Sequence, residues 1–212
     1  MTMMDKFDIK CSVCGKPSPQ WILMSTNSFG YPDLDLRPPE MQRSTMNTWI
    51  SECPHCGYVA ADLEMESDVS KNFLESEEYL TCEGYDFKGK LSKLFYKSYL
   101  ISKQNNNVYN CFFNLRNCAW DCDDHDDENA VAIRKQALVY LDEIIQTDDE
   151  EKNTFMVIKS DFLRRSGEFD QLINEYGDLT IGEEILDKII RFEIEKALEK
   201  DTKCYTIEDV VG

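Results

Sequence analysis

Two pentapeptides carry the most specific chemistry in this chain: Cys11-Ser12-Val13-Cys14-Gly15 and Cys53-Pro54-His55-Cys56-Gly57. In each, two thiols three positions apart bracket a tight turn, so both sulfurs can face one ion. The glycine after the second cysteine permits positive φ, which folds the backbone back until its amides face the sulfurs. Two such turns supply four thiolates, and soft sulfur in a tetrahedral cage selects zinc or, less often, iron. The expectation is one structural Zn2+ held by Cys11, Cys14, Cys53 and Cys56. Four protein ligands close the site and leave no position at which a water could be activated. His55 lies inside the second turn and is expected to point outward. A redox role for either Cys-x-x-Cys would need a metal-free pair at a helix start after a strand.

The segments around the turns must position them. Trp21–Ser25 and Thr48–Glu52 read as short strands feeding the turns, a small β ribbon. Between them, residues 28–46 form an insert with prolines at 32, 38 and 39 and a glycine at 30, which argues against regular structure. Asp33, Asp35, Arg37 and Arg43 make this insert a candidate interaction loop. The competing reading is a wrap that pairs its charges locally.

Composition changes near residue 60. Residues 1–60 have a net charge of −1, whereas residues 61–212 carry −17, out of −18 for the whole chain. Domains at 1–62 (zinc ribbon with its insert) and 63–212 (acidic and helical) are therefore expected. An overall acidic chain repels polyphosphate, so a broad duplex-binding face is excluded. Apolar content of 42% supports a packed core rather than disorder.

Apolar residues after Leu63 recur at intervals of three and four. Leu91, Leu94, Phe95, Tyr99 and Leu100 pattern one helix, with Lys90, Lys93 and Lys97 as an outward basic stripe. Asn105-Asn106-Asn107 breaks it. A second helix is expected from about Val108 to Asp121, and a third along Ala130, Ile133, Ala137, Leu141 and Ile144. A fourth contains Phe155 to Leu163 and closes at Ser166-Gly167. A fifth lies on Phe169 to Tyr176 and a sixth on Ile185 to Ile194. The fold class expected is mainly α: a small N-terminal β zinc ribbon plus a TPR-like antiparallel helical bundle or short solenoid. Leu163–Ile173 looks like the turn of a tetratricopeptide hairpin, and the hairpin from Ala119-Trp120 to Ala137 is a weaker echo. Their offset of 42 residues differs from the ~34 of a regular array.

Nine cysteines is an odd count, which argues against a disulfide framework. Cys111, Cys118 and Cys122 fall on one helix face, with His125 beyond. Cys111 and His125 would stand about 21 Å apart on a helix, too far for one ion. Cys118 and Cys122 could form a second metal site only with His125, Cys82 or Cys204, and burial as small apolar residues is the plainer reading. The acidic turn 123–128 lacks the spacing of a calcium loop and suits a helix cap.

Catalysis finds little support. Phosphate-cradle glycine patterns, a nucleophile elbow and H-E-x-x-H are absent, and the chain has only two histidines. The opening residues mix Asp5 and Asp8 into the apolar ones, unlike a signal-peptide core. The longest apolar run, Ala137–Leu141, falls far short of the about 18 residues of a membrane span. A cytoplasmic protein away from the membrane is expected.

The pattern is similar to a bacterial family of uncharacterised proteins in which paired C-x-x-C-G knuckles, the second as CPHCGY, precede a TPR-like helical region. The matching residues are Cys11–Gly15, Asp33–Pro39, Trp49–Tyr58 and the Ala119-Trp120 hairpin. The resemblance implies zinc binding and a helical interaction scaffold, and it supplies no activity. Taken together, a zinc-binding adaptor that engages a protein partner, such as a basic peptide, through its acidic helices is the leading reading. RNA binding by the ribbon and an enzyme of unidentified reaction are the alternatives.

Overall fold

The computed structural model describes all 212 residues. It is mainly helical, with a small β region at the N-terminus. Strand β1 (Met3–Lys10) pairs antiparallel with β2 (Pro17–Ser25), and β3 (Ser51–Glu52) pairs with β4 (Val59–Ala60). The Cys11–Lys16 and Cys53–Tyr58 turns are therefore the tips of two hairpins. Short helices α1 (Lys71–Leu74) and α2 (Glu77–Leu80) follow, each started by a serine, Ser70 or Ser76, whose hydroxyl accepts the amide three residues on.

The long helices are α3 (Lys90–Gln104), α4 (Val108–Asp124), α5 (Asn129–Thr147), α6 (Lys152–Arg165), α7 (Phe169–Tyr176) and α8 (Glu184–Leu198). A last turn, α9 (Ile207–Val211), opens with a Thr206–Asp209 capping box. All six patterned helices are present. At the α3–α4 turn, Asn106 adopts φ +51° and the Asn107 side chain accepts the Asn110 amide, so the three asparagines both end one helix and cap the next. Gly167, at φ +77°, closes α6 as its C′ residue, and the Glu168 amide returns to the Leu163 carbonyl.

The chain forms two compact units. The first comprises residues 1–29 and 40–130, the second residues 30–39 and 131–212. This division differs from a boundary at residue 62, for a physical reason. Within the first unit α3 and α4 pack on each other, and the ribbon's second hairpin is anchored on that pair. Phe95, Tyr99, Leu100, Phe112, Leu115 and Trp120 are all essentially buried there. Tyr79, also buried, donates its hydroxyl to the Gly57 carbonyl (2.6 Å), and the Lys97 ammonium pairs with Glu52 (2.9 Å). Lys97 is thus not part of an outward basic stripe; Lys90 and Lys93 remain exposed.

In the second unit α6, α7 and α8 pack together around Phe162, Leu163, Leu172, Ile189 and Ile190. Residues 30–39 of the insert belong to this unit. Asp33 bridges to Thr206, and the Leu34 amide donates to the Tyr205 carbonyl (3.0 Å). Asp35 accepts a hydrogen bond from Arg165 (3.1 Å). Four acids, Asp33, Asp35, Asp161 and Glu193, and four arginines, Arg37, Arg134, Arg164 and Arg165, are buried here. Equal numbers of opposite charges let the cluster stay buried.

Candidate metal centre

Each knuckle is built the same way. The Gly15 amide donates to the Cys11 carbonyl (2.8 Å) and the Cys11 amide to the Lys16 carbonyl (3.1 Å). In the second knuckle the Gly57 amide donates to the Cys53 carbonyl (2.9 Å) and the Cys53 amide to the Tyr58 carbonyl (2.8 Å). Gly15 and Gly57 take φ +72° and +73°, which only glycine adopts without strain. The turn sequence and its hydrogen bonds thus fix where all four sulfurs point.

The four Sγ atoms lie within 4.8 Å of one another. Cys11 and Cys56 are 3.8 Å apart and Cys14 and Cys53 3.6 Å apart. A disulfide needs about 2.05 Å, so neither pair is bonded. Four sulfurs at a Zn–S distance of about 2.3 Å would be spaced about 3.8 Å along each tetrahedron edge. The cluster can therefore hold a metal ion. Cys11 and Cys53 are completely buried, while Cys14 and Cys56 are half-buried at the tips.

Electrostatics at the sulfurs point the same way. The Lys16 backbone amide draws the Cys14 thiol down to about 7. Burial pushes Cys53 and Cys56 up, against opposing amides of the knuckle. Several thiolates crowded in one partly buried site need a cation to hold them ionised. The surroundings lock the two knuckles together. His55 Nε2 lies 3.2 Å from the Pro17 carbonyl and points away from the sulfurs, and the Ser12 amide donates to the Leu63 carbonyl (2.8 Å).

No other group of three or more metal-ligating side chains lies this close together. Cys118 and Cys122 are fully buried, and Cys118 sits 3.3 Å from the Ser92 carbonyl. His125 turns back along α4, its Nδ1 2.8 Å from the Asp121 carbonyl. Cys82 packs against the carbonyls of Tyr79 and Lys93, and Cys204 belongs to the other unit. The acidic turn works as a cap: the buried Asp127 carboxylate accepts the amides of Lys88 (2.8 Å) and Asn129 (3.0 Å).

The candidate interaction loop is placed differently from an exposed recognition segment. Asp33, Asp35 and Arg37 are buried, at 2%, 0% and 5% exposure, and are used inside the second unit. Arg43 is half-buried at the start of a 3-10 turn, Arg43–Thr48. That turn also takes up Thr48, so only Ser51–Glu52 of the expected second strand pairs. Strand β1 carried no clear alternation in sequence, because it lies exposed along nearly its whole length. No helix is long and apolar enough to cross a membrane.

Comparison with known proteins gives no match among family models, curated proteins or solved structures.

Proposed function

We propose that this protein is a zinc-stapled interaction adaptor. Cys11, Cys14, Cys53 and Cys56 bind one structural Zn2+, and the acidic helical surface recruits a basic segment of a protein partner. The observation that carries the metal half is the sulfur spacing of 3.6–3.8 Å in a closed, all-cysteine set. The ion's part is cross-linking. It joins two hairpin tips that are far apart in sequence, which is how a small ribbon compensates for having little core of its own. The partner half rests on charge: residues 61–212 hold 35 acidic against 18 basic side chains. Such a surface favours basic ligands and speeds their encounter. The resemblance to knuckle-plus-helix proteins supports the same assignment.

Elemental analysis of reduced, purified protein is expected to give one zinc per chain, lost together with the ribbon's structure on chelation. Affinity capture with the full chain is expected to retrieve a reproducible partner whose binding weakens as salt rises. Metal-free protein with an intact ribbon would remove the metal half, and a partner indifferent to salt would remove the charge-based half.

A second reading is favoured by one observation. The β1–β2 hairpin exposes Trp21 beside Lys6, whose ammonium lies 4.9 Å from the Trp21 ring. Aromatic and basic side chains together are what single-stranded RNA stacks on. Gel shifts of the full chain at low salt, with and without Trp21→Ala, test it; no retained RNA removes it.

A further inference from the structure

Four asparagines, Asn107, Asn110, Asn114 and Asn117, follow one another at steps of three, four and three residues. Helical geometry places such a series in one row, about 15 Å long. All four line one cleft of about 390 Å³ in the first unit, between this face of α4, helix α3 and residues 58–67. The row runs from solvent inward: Asn107 and Asn110 are exposed, Asn114 and Asn117 half-buried. Few of their polar groups are used within the protein. The Asn107 oxygen caps α4, and Asn114 Nδ2 reaches Ser102 Oγ at 3.3 Å. Asn117 Oδ1 is shielded from solvent yet has no hydrogen-bond partner. A buried acceptor left unpaired costs about 1–3 kcal/mol, so the deep end of the cleft favours an incoming donor.

The opposite wall is of a different character. Trp49 and Met65 give it an apolar surface, and its charged residues are Asp62 and Glu66. No basic residue lines the cleft. An anionic ligand would meet only carboxylates, so phosphate-bearing ligands are disfavoured.

We infer that this cleft binds a basic peptide segment in an extended conformation, with the asparagine row pairing its backbone. A carboxamide both donates and accepts, which complements one peptide N–H and C=O. Adjacent asparagines are about 5 Å apart along the helix, while every second residue of an extended chain repeats at about 6.6 Å. Over two steps, from Asn110 to Asn117, the rows advance about 10.5 Å and about 13 Å, a difference that flexible carboxamide side chains can span for three alternate positions of a five-residue segment. Alternate side chains would lie on the apolar wall, and basic ones would face Asp62 and Glu66. This inference rests on the adaptor reading and gives it a site. It also gives the metal centre a purpose, because the wall residues Tyr58 to Asp62 leave directly from the second knuckle and Leu63 follows them. The Tyr58 and Leu63 carbonyls accept amides of Cys53 and Ser12, so both knuckles grip that wall.

The test is a titration of the 15N-labelled full chain with a capped peptide of alternating lysine and valine. Shifts are expected in the side-chain amide signals of Asn110, Asn114 and Asn117. Asn114→Ala and Asn117→Ala should each weaken binding roughly tenfold, the equivalent of one good hydrogen-bonded contact. Asn110→Ala, at an exposed position, is the variant that keeps the fold, and it should weaken binding in the same direction. A backbone N-methylated form of the peptide and a glutamate–valine form should both fail to bind. The site is overturned if the peptide leaves these amide signals unmoved, or if the N-methylated form binds equally well. It is also overturned if single-stranded RNA moves the signals and the peptide does not. Partner capture and zinc content are measured separately, so the adaptor reading can survive the loss of this site.

Discussion

Replacing Cys53 and Cys56 together by serine opens the cross-link between the hairpin tips, and the structure sets the size of the effect. Cys14 and Cys53 are separated by 39 positions. Closing a loop of that length removes about 13 cal/mol/K from the unfolded chain, or about 4 kcal/mol near 298 K. This is the part of the metal's contribution fixed by chain geometry, and coordination itself adds to it. With a urea dependence of about 2 kcal/mol/M, the unfolding midpoint should fall by about 2 M. Trp21, Trp49 and Trp120 all lie in the first unit, so tryptophan fluorescence follows the unit that contains the site. Chelator treatment of the unaltered protein should reproduce the variant's midpoint, and adding chelator to the variant should change nothing further. A zinc-sensitive dye would report one equivalent released from the unaltered chain and none from the variant. The reasoning is refuted if variant and parent unfold within about 0.3 M urea of each other, or if chelator leaves the parent's midpoint in place.

Four further substitutions carry expected outcomes. Arg164 is buried, pairs with Asp161 (2.9 Å) and Glu193, and donates to the carbonyls of Asp201 and Lys203 at 3.0 and 2.8 Å. Arg164→Met strands the Glu193 carboxyl and leaves Asp161 with Arg165, at 3.8 Å, and should cost about 3–5 kcal/mol in denaturant unfolding. The same variant makes stability more sensitive to pH. Burial pushes Asp161 up to about 6 and Glu193 up to about 8, above the ordinary carboxylate values. The folded state therefore holds more protons than the unfolded one across that interval, and stability declines as pH rises from about 4 toward 8. Without the guanidinium both carboxyls are held higher still, so the decline, at most about 1.4 kcal/mol per pH unit for each group, should extend to higher pH; a profile that ends where the parent's does would contradict it. A glycine pair separates sterics from backbone strain. A Cβ on Gly89 would lie 2.0 Å from Asp121 Oδ2, which accepts the Ser92 amide (2.6 Å) and hydroxyl (2.8 Å). Gly89→Ala should lower the melting temperature by several degrees, at a cost of about 1–3 kcal/mol, without altering zinc content. Gly57→Ala meets open space but must hold φ +73°, so about 1–2 kcal/mol of strain should appear as faster zinc loss to chelator. Tyr79→Phe deletes the hydrogen bond to the Gly57 carbonyl and should cost about 1 kcal/mol, again with faster zinc release.

What the sequence by itself determined is local. Two Cys-x-x-Cys-Gly turns name their four sulfurs because each turn is closed by hydrogen bonds within six residues, with glycine at the positive φ. The six long helices were legible because their apolar spacing and their Asn or Gly stops act over one or two turns. Distance in sequence hid the rest. Strand β1 is exposed and carries no buried alternation, so only its pairing with β2 defines it. Asp35 and Arg37 read as surface charges, and Lys97 as part of a basic stripe. Asp35 and Lys97 are buried because a partner arrives from far along the chain: Arg165 for Asp35, Glu52 for Lys97. The asparagine row was spaced helically all along, but only the packing of residues 58–67 beside α3 and α4 turned that face into a cleft. Side-chain spacing encodes which face a helix presents. Whether that face meets a core, a countercharge or an opening is settled by what the rest of the chain folds against it.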